Sequence, residues 1–136
     1  SMAGVRFGYG IGDSDLIEAM EVMRPPWTIN AFAQAMTIQA FRQYKTLEES
    51  RARIRQERER IMKNCRDMGL IPSDASANYI LLETKRNARE LTMRMKNEGI
   101  LVRDCTSFGL ATCIRTAVMT PGENDRLLEA LARCLH

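Results

Sequence analysis

The chain has 136 residues, 45% hydrophobic and 27% charged, an ordinary composition for one domain with a real core. Its 20 Lys and Arg against 17 Asp and Glu leave a net charge of +3, too small to argue for a nucleic-acid partner. No apolar run nears the roughly 20 residues of a membrane span, and the first residues lack the basic head and apolar block of a secretory signal. No nucleic-acid and no membrane partner is therefore expected, and the location expected is cytoplasmic.

Residues 5–12 alternate apolar with small or polar side chains and predict a strand. Gly8, Gly10 and Gly12 fall inside that strand, whereas a dinucleotide-binding fingerprint needs its glycines after the strand and a helix opening on them. They read instead as a bulge or a close backbone approach. Asp13 or Ser14 can cap a helix to about residue 23, with Leu16, Ile17, Met20 and Met23 on one face. Arg24-Pro25-Pro26 ends it, because a residue before proline avoids the α region. Thr28 or Asn30 then caps a second helix, from 31 to about 44, which is apolar nearly all round and suits burial or an interface. Thr46 and Glu49 have the spacing of a capping box and predict the start of the longest helix, running to about 68. Its apolar stripe is narrow (Leu47, Ile54, Ile61, Cys65, Met68), and Glu49/Arg53, Arg55/Glu59 and Glu59/Lys63 are spaced for ion pairs. Interleaved glutamates and missing aromatics make this a solvated face rather than a nucleic-acid surface. A long polar helix suits a bridge between two parts of a molecule, and Gly69 is a natural C-cap.

Residues 72–76 predict a loop and 78–82 a strand. Asn87 predicts a helix cap, and the helix carries Leu91, Met93 and Met95 and ends near Gly99. Two short apolar runs follow, each interrupted by one arginine, Arg103 and Arg115. These runs look destined for a core, and a buried guanidinium is costly unless an anion meets it, so both arginines are candidate anion ligands. Thr120 and Glu123 form a second capping box with Pro121 at the first helical position; Leu127, Leu128, Leu131 and Leu135 mark the final helix. From Asn78 onward the order is strand–helix–strand–strand–helix, an α+β layer with helices on one sheet face. A single strand before residue 69 cannot make a sheet, so the chain is expected to be part of something larger or half of an obligate assembly. Cys65, Cys105, Cys113 and Cys134 fit no paired zinc spacing and read as small buried residues of a reducing compartment. The single histidine, His136, is the last residue, which disfavours Ser-His-Asp, Cys-His and histidine–metal chemistry. Met20, Met23, Met36, Met93 and Met95 are expected to fill the core.

Five segments stand in one order: Ala3-Gly4-Val5-Arg6-Phe7-Gly8-Tyr9; Arg24-Pro25-Pro26-Trp27-Thr28-Ile29-Asn30-Ala31-Phe32-Ala33-Gln34-Ala35; Ser76-Ala77-Asn78-Tyr79-Ile80-Leu81-Leu82; Gly99-Ile100-Leu101-Val102-Arg103-Asp104; and Ile114-Arg115-Thr116-Ala117-Val118 with Thr120 to Leu128. Together they resemble the C-terminal part of the class I/II aminotransferases, the fold-type-I enzymes that use pyridoxal phosphate. Within these they resemble the histidinol-phosphate aminotransferase group and its threonine-phosphate decarboxylase relatives. The resemblance implies an α/β chain with three parts: residues 1–45 a remnant of the large cofactor domain, 46–68 the interdomain helix, and 69–136 an α+β small domain. It gives Arg6 to the cofactor phosphate and Arg115 to the substrate carboxylate or the phosphate replacing it. It puts Arg103 close to the same pocket and Asn78 on a strand facing the site. The competing structural reading pairs Arg115 with Asp104.

The resemblance puts the Schiff-base lysine, and the residues that hold the pyridine ring, ahead of Ser1. It therefore implies no catalytic residue here, no metal, and inactivity of these 136 residues alone. For the full-length protein it implies a cytoplasmic homodimer that moves an amino group between a small phosphorylated amino compound and 2-oxoglutarate. L-threonine-O-3-phosphate decarboxylation, as in cobalamin biosynthesis, is the alternative on the same scaffold. A stand-alone, non-catalytic anion- or partner-binding module is the alternative of a different class. The apolar helix from 31 to 44 is expected to be exposed and to drive self-association.

Overall fold

The computed structural model describes residues 3–135. His136 lies outside the described residues. The chain divides into two compact units, one up to Glu48 and one from Glu49 onward.

The first unit holds a short 3-10 turn, Ala3–Val5, and helices α1, Ser14–Met23, and α2, Ala31–Arg42. The strand expected over 5–12 is not there. Val5 closes the 3-10 turn and Arg6 takes a φ of 58°, which breaks extended backbone at its start. The first strand described begins only at Ile71, so this segment has no partner for its ladder. The expected caps hold: Asp13 accepts from the Asp15 N–H, and Asn30 accepts from the Ala33 N–H at 2.8 Å. Helix α1 buries no side chain and α2 buries only Ala33 and Thr37. Trp27 is 97% exposed, and Phe32 and Phe41 are more than half exposed. The core-filling expectation therefore fails for Met20, Met23, Met36 and Met93, which are all exposed; of the five only Met95 is buried.

Helix α3, Tyr44–Asp67, runs through the boundary between the units. The capping box expected at Thr46 is not its start. The Gln43 carbonyl already accepts from the Leu47 N–H at 3.2 Å, which places Thr46 inside the first turn. The ion pairs of its second half also differ from the spacing argument: the helix uses Glu57–Arg60 and Lys63–Asp67.

The second unit is a four-stranded antiparallel sheet, built from β1 (Ile71–Pro72), β2 (Tyr79–Glu83), β3 (Arg103–Asp104) and β4 (Cys113–Ala117) in the order β1-β2-β4-β3. Pro72 had been expected in a loop. It pairs with Leu82 from an edge strand, where a missing N–H is tolerated. Helices α4, Ala88–Asn97, and α5, Pro121–Cys134, complete the α+β layer. Gly69 and Gly99, at φ 80° and 76°, follow α3 and α4 in the left-handed conformation that stops a helix. The strand pleat sorts the side chains. Ile80, Leu82, Ile114 and Thr116 are buried with Ile61, Leu91, Met95, Leu128 and Leu131 from the helices, and Tyr79, Glu83, Arg115 and Ala117 point the other way. All four cysteines are buried and unbridged, and burial pushes the Cys65 thiol up to about 11.

A buried polar lock ties α3 to the start of α5. Asn124 is fully buried; its Oδ1 accepts from the Met119 N–H at 2.9 Å, and its Nδ2 donates to the Met119 carbonyl at 3.0 Å and to Glu57 Oε2 at 2.8 Å. Arg60 grips both Glu57 oxygens and also reaches Asp125 at 2.6 Å and the Pro121 carbonyl at 3.2 Å. Hydrogen bonds from Arg60 and then Asn124 hold the Glu57 carboxyl below its ordinary value. The capping box Thr120–Glu123 forms as expected. Replacing Asn124 by Ala leaves the Met119 N–H and carbonyl without their side-chain partner and takes one hydrogen bond from Glu57, which Arg60 still holds, and urea unfolding should show a loss of about 1–3 kcal/mol. A group whose pKa is depressed on folding stabilises above its unfolded value, here 4.5, and that stabilisation fades as pH falls through the folded value. Glu57→Gln should accordingly be less stable than the parent at neutral pH and converge with it in acid.

Candidate functional site

Arg103 on β3 and Arg115 on β4 face each other directly across the ladder. Both are exposed on the sheet face away from the helices, so the expectation of buried guanidinium groups is corrected. The physical reason is the pleat: Ile114 and Thr116 take the core side, which sends Arg115 to the open one. Like charges in direct register oppose one another, and each is held by an aromatic ring instead of a carboxylate. The Arg115 guanidinium lies 4.9 Å from the centre of the Tyr79 ring, and that of Arg103 lies 5.4 Å from the centre of the Phe108 ring. Arg103 adds one long hydrogen bond to the Ser107 hydroxyl, 3.4 Å.

The Arg115–Asp104 pairing does not form. Asp104 is opposite Ile114, on the other side of the pleat from Arg115. It accepts from the Thr106 N–H at 2.8 Å and the Thr106 hydroxyl at 2.6 Å, with Arg89 4.0 Å away, and these contacts lower its pKa. Glu83 shares the open face, but it accepts from the Thr112 hydroxyl at 2.7 Å, the Lys85 N–H at 2.6 Å and the Cys113 thiol at 3.3 Å. Among the described residues no carboxylate forms an ion pair with Arg103 or Arg115. The face thus presents two fixed cations on aromatic supports, a chemistry suited to a carboxylate or a phosphate.

Asn78 is exposed and stands just before β2, not within a strand as expected. Its carbonyl accepts from the Val118 N–H at 2.8 Å, which zips the start of β2 to the end of β4. Arg6 belongs to the first unit and is exposed, with its backbone in the left-handed region that a non-glycine residue enters at a cost. Arg103, Arg115 and Asn78 share the second unit. Sequence reasoning missed the Tyr79 and Phe108 platforms. Tyr79 pairs with Ala117, diagonal to Arg115, and only the strand register reveals that neighbourhood.

Residues 1–131 match the family described as Aminotransferase class I and II. The chain belongs to the class I and II aminotransferases. It is 33% identical over 134 residues to a histidinol-phosphate aminotransferase of Symbiobacterium thermophilum, covering 98% of this chain and 37% of that protein. It is 35% identical to a protein of Caldanaerobacter subterraneus subsp. tengcongensis provisionally named a threonine-phosphate decarboxylase, covering 96% of this chain and 36% of that one. The histidinol-phosphate aminotransferase of Clostridium acetobutylicum superimposes with a TM-score of 0.84 at 29% identity, over 99% of this chain and 42% of its own. That of Sinorhizobium meliloti, in complex with pyridoxal-5'-phosphate, gives 0.83 at 27% identity, over 98% and 38%. This aminotransferase-family chain thus spans 36–42% of the length of these relatives, and its fold is that of the fold-type-I pyridoxal-phosphate enzymes. Among the described residues no group of acidic, cysteine and histidine side chains could hold a metal ion, and no helix is long and apolar enough to cross a membrane.

If Arg103 and Arg115 repel across the ladder, salt should stabilise the parent more than Arg103→Gln. The expected difference between low and 0.5 M salt is about 0.2–1 kcal/mol in urea unfolding. Equal salt responses would mean the rings and solvent already neutralise the repulsion.

Proposed function

We propose that this chain is the substrate-anion-binding portion of a pyridoxal-phosphate enzyme acting on a small phosphorylated amino compound. The observation that carries this reading is the Arg103–Arg115 pair, cationic, exposed and without an ion-pair partner among the described residues, in a chain of the aminotransferase family. Arg115, steadied by Tyr79, would receive the substrate carboxylate or the phosphate in its place, with Arg103 sharing the charge. Asn78 would line the same pocket from the head of β2. The Arg6 guanidinium, exposed on a strained turn, fits a phosphate by its fork of donors and would hold that of the cofactor. Bound pyridoxal phosphate supplies the electron sink that stabilises negative charge at the substrate Cα.

The anion anchors would then decide the outcome, by fixing which bond at the substrate Cα the cofactor's electron sink labilises. Loss of the Cα proton leads to amino transfer with 2-oxoglutarate, the reading favoured here. Loss of the carboxylate would make the protein a threonine-phosphate decarboxylase, a second reading supported by the 35% identity to the Caldanaerobacter relative. The domain division that goes with this function assigns 1–45 to the cofactor domain, 46–68 to a linking helix and 69–136 to the small domain, within a cytoplasmic homodimer. The 136 residues alone would be inactive.

The protein as its gene encodes it, loaded with pyridoxal phosphate, should convert histidinol phosphate when 2-oxoglutarate accompanies it. Release of carbon dioxide from threonine phosphate would instead establish the decarboxylase. Arg115→Ala should lower kcat/KM by about 10²-fold, or roughly 2.7 kcal/mol of lost charge-assisted binding. Turnover of neither compound, or an Arg115→Ala enzyme indistinguishable from the parent, would overturn the reading.

A further inference from the structure

Arg58 on α3 reaches out of its helix to the chain ahead of β2. A single nitrogen of Arg58, Nη1, donates to two successive carbonyls, those of Ser76 at 2.9 Å and Ala77 at 3.0 Å. These carbonyls belong to residues 73–78, the irregular stretch between β1 and β2. Ala77 has no polar side chain of its own to fix the backbone. A charged donor makes these bonds stronger than neutral ones.

The position of this grip matters. Tyr79 follows Ala77 by two residues, and its ring carries the Arg115 guanidinium. At the same end of the sheet, the Asn78 carbonyl accepts from Val118, three residues beyond Arg115. Glu57 and Arg60, neighbours of Arg58 on α3, hold Asn124, Asp125 and the Pro121 carbonyl on the far side of β4. One turn of α3 therefore fastens the entry to β2 and the exit from β4, the two strands that supply the ring and the cation. Arg58 is half-buried, and its guanidinium is spent on these two carbonyls, whereas the Asn124 lock is made by Glu57 and Arg60.

We propose that Arg58 is a positioning residue for substrate-anion binding: by clamping the Ser76 and Ala77 carbonyls it sets the Tyr79 ring on which Arg115 is held. The inference rests on the assignment of Arg115 to the substrate anion. Loss of the clamp leaves Tyr79 on its strand but frees the backbone that aims it, so the anion is met by a looser guanidinium. Binding suffers in the ground state and the transition state alike, which raises KM and leaves kcat in place.

The test uses the gene-encoded protein saturated with pyridoxal phosphate and compares the parent, Arg58→Met, Arg58→Lys and Arg115→Ala. Two quantities are read: the KM and kcat for the phosphorylated amino substrate, and the rise in melting temperature produced by inorganic phosphate, which reports binding without turnover. Arg58→Met should raise KM about 3- to 10-fold with kcat within about 2-fold, and should shrink the phosphate-induced rise. Arg58→Lys, which keeps a cationic donor within reach of the carbonyls, should restore much of both. If Arg115→Ala raises KM but both Arg58 variants match the parent, the positioning role is wrong and the assignment of Arg115 stands. If Arg115→Ala changes neither quantity, both fall together. Should Arg58→Met not fold, Arg58→Lys decides alone: a KM about 1.5- to 3-fold above the parent with unchanged kcat supports the clamp, and a KM equal to the parent's, or an equal fall in kcat and kcat/KM, overturns it.

Discussion

The second unit depends on how one buried amide is satisfied. Asn124 has no contact with solvent, and every hydrogen-bonding group of its side chain is engaged, two of the bonds with the backbone of Met119 and one with Glu57. An amide buried with its partners in place holds geometry tightly, because any displacement would leave a polar group unsatisfied. Through Glu57 and Arg60 the constraint passes to α3, and through Met119 to the chain just beyond β4. The strand that bears Arg115 thus ends in a fixed place relative to α3, and the register with β2 and β3 carries that placement to the open face.

The open face itself is built against local stability. Two guanidinium groups in direct register would ordinarily be separated or neutralised, yet Asp104 is turned to the opposite side and Glu83 is occupied by Thr112, Lys85 and Cys113. The two rings hold the cations by their faces and leave the forked N–H donors available. Carboxylate partners would have been better for stability and worse for receiving an anion. This is the compromise expected where a surface serves binding more than folding.

Much of the second unit was legible in the sequence because its local signals agree with its packing. The Asn87 cap, the Thr120–Glu123 box, the helix-stopping Gly69 and Gly99 and the leucines of α5 all act where periodicity put them. The first unit was legible less well because there local signals had no packing to answer to. Alternation over 5–12 promised a strand, but a strand needs a neighbour; Met20 and Met23 promised a core, but α1 buries nothing. At Thr46 a sound capping pattern lost to a helix that had already begun at Tyr44. In the candidate site the arginines could be found from sequence, since they interrupt apolar runs. Their exposure, their ring supports and the Arg58 clamp could not, because each depends on strand register or on contacts between residues far apart in the chain.

The sheet's margins bear on what this fold can join. Both outer strands, β1 and β3, are only two residues long; one contains a proline without an N–H, and the other an exposed arginine. A visiting strand would find almost no row of free backbone donors and acceptors to continue. Neither margin of the sheet therefore invites β-augmentation by another chain. Such margins favour association through side chains, where charge and shape discriminate, over the unselective pairing of main chains.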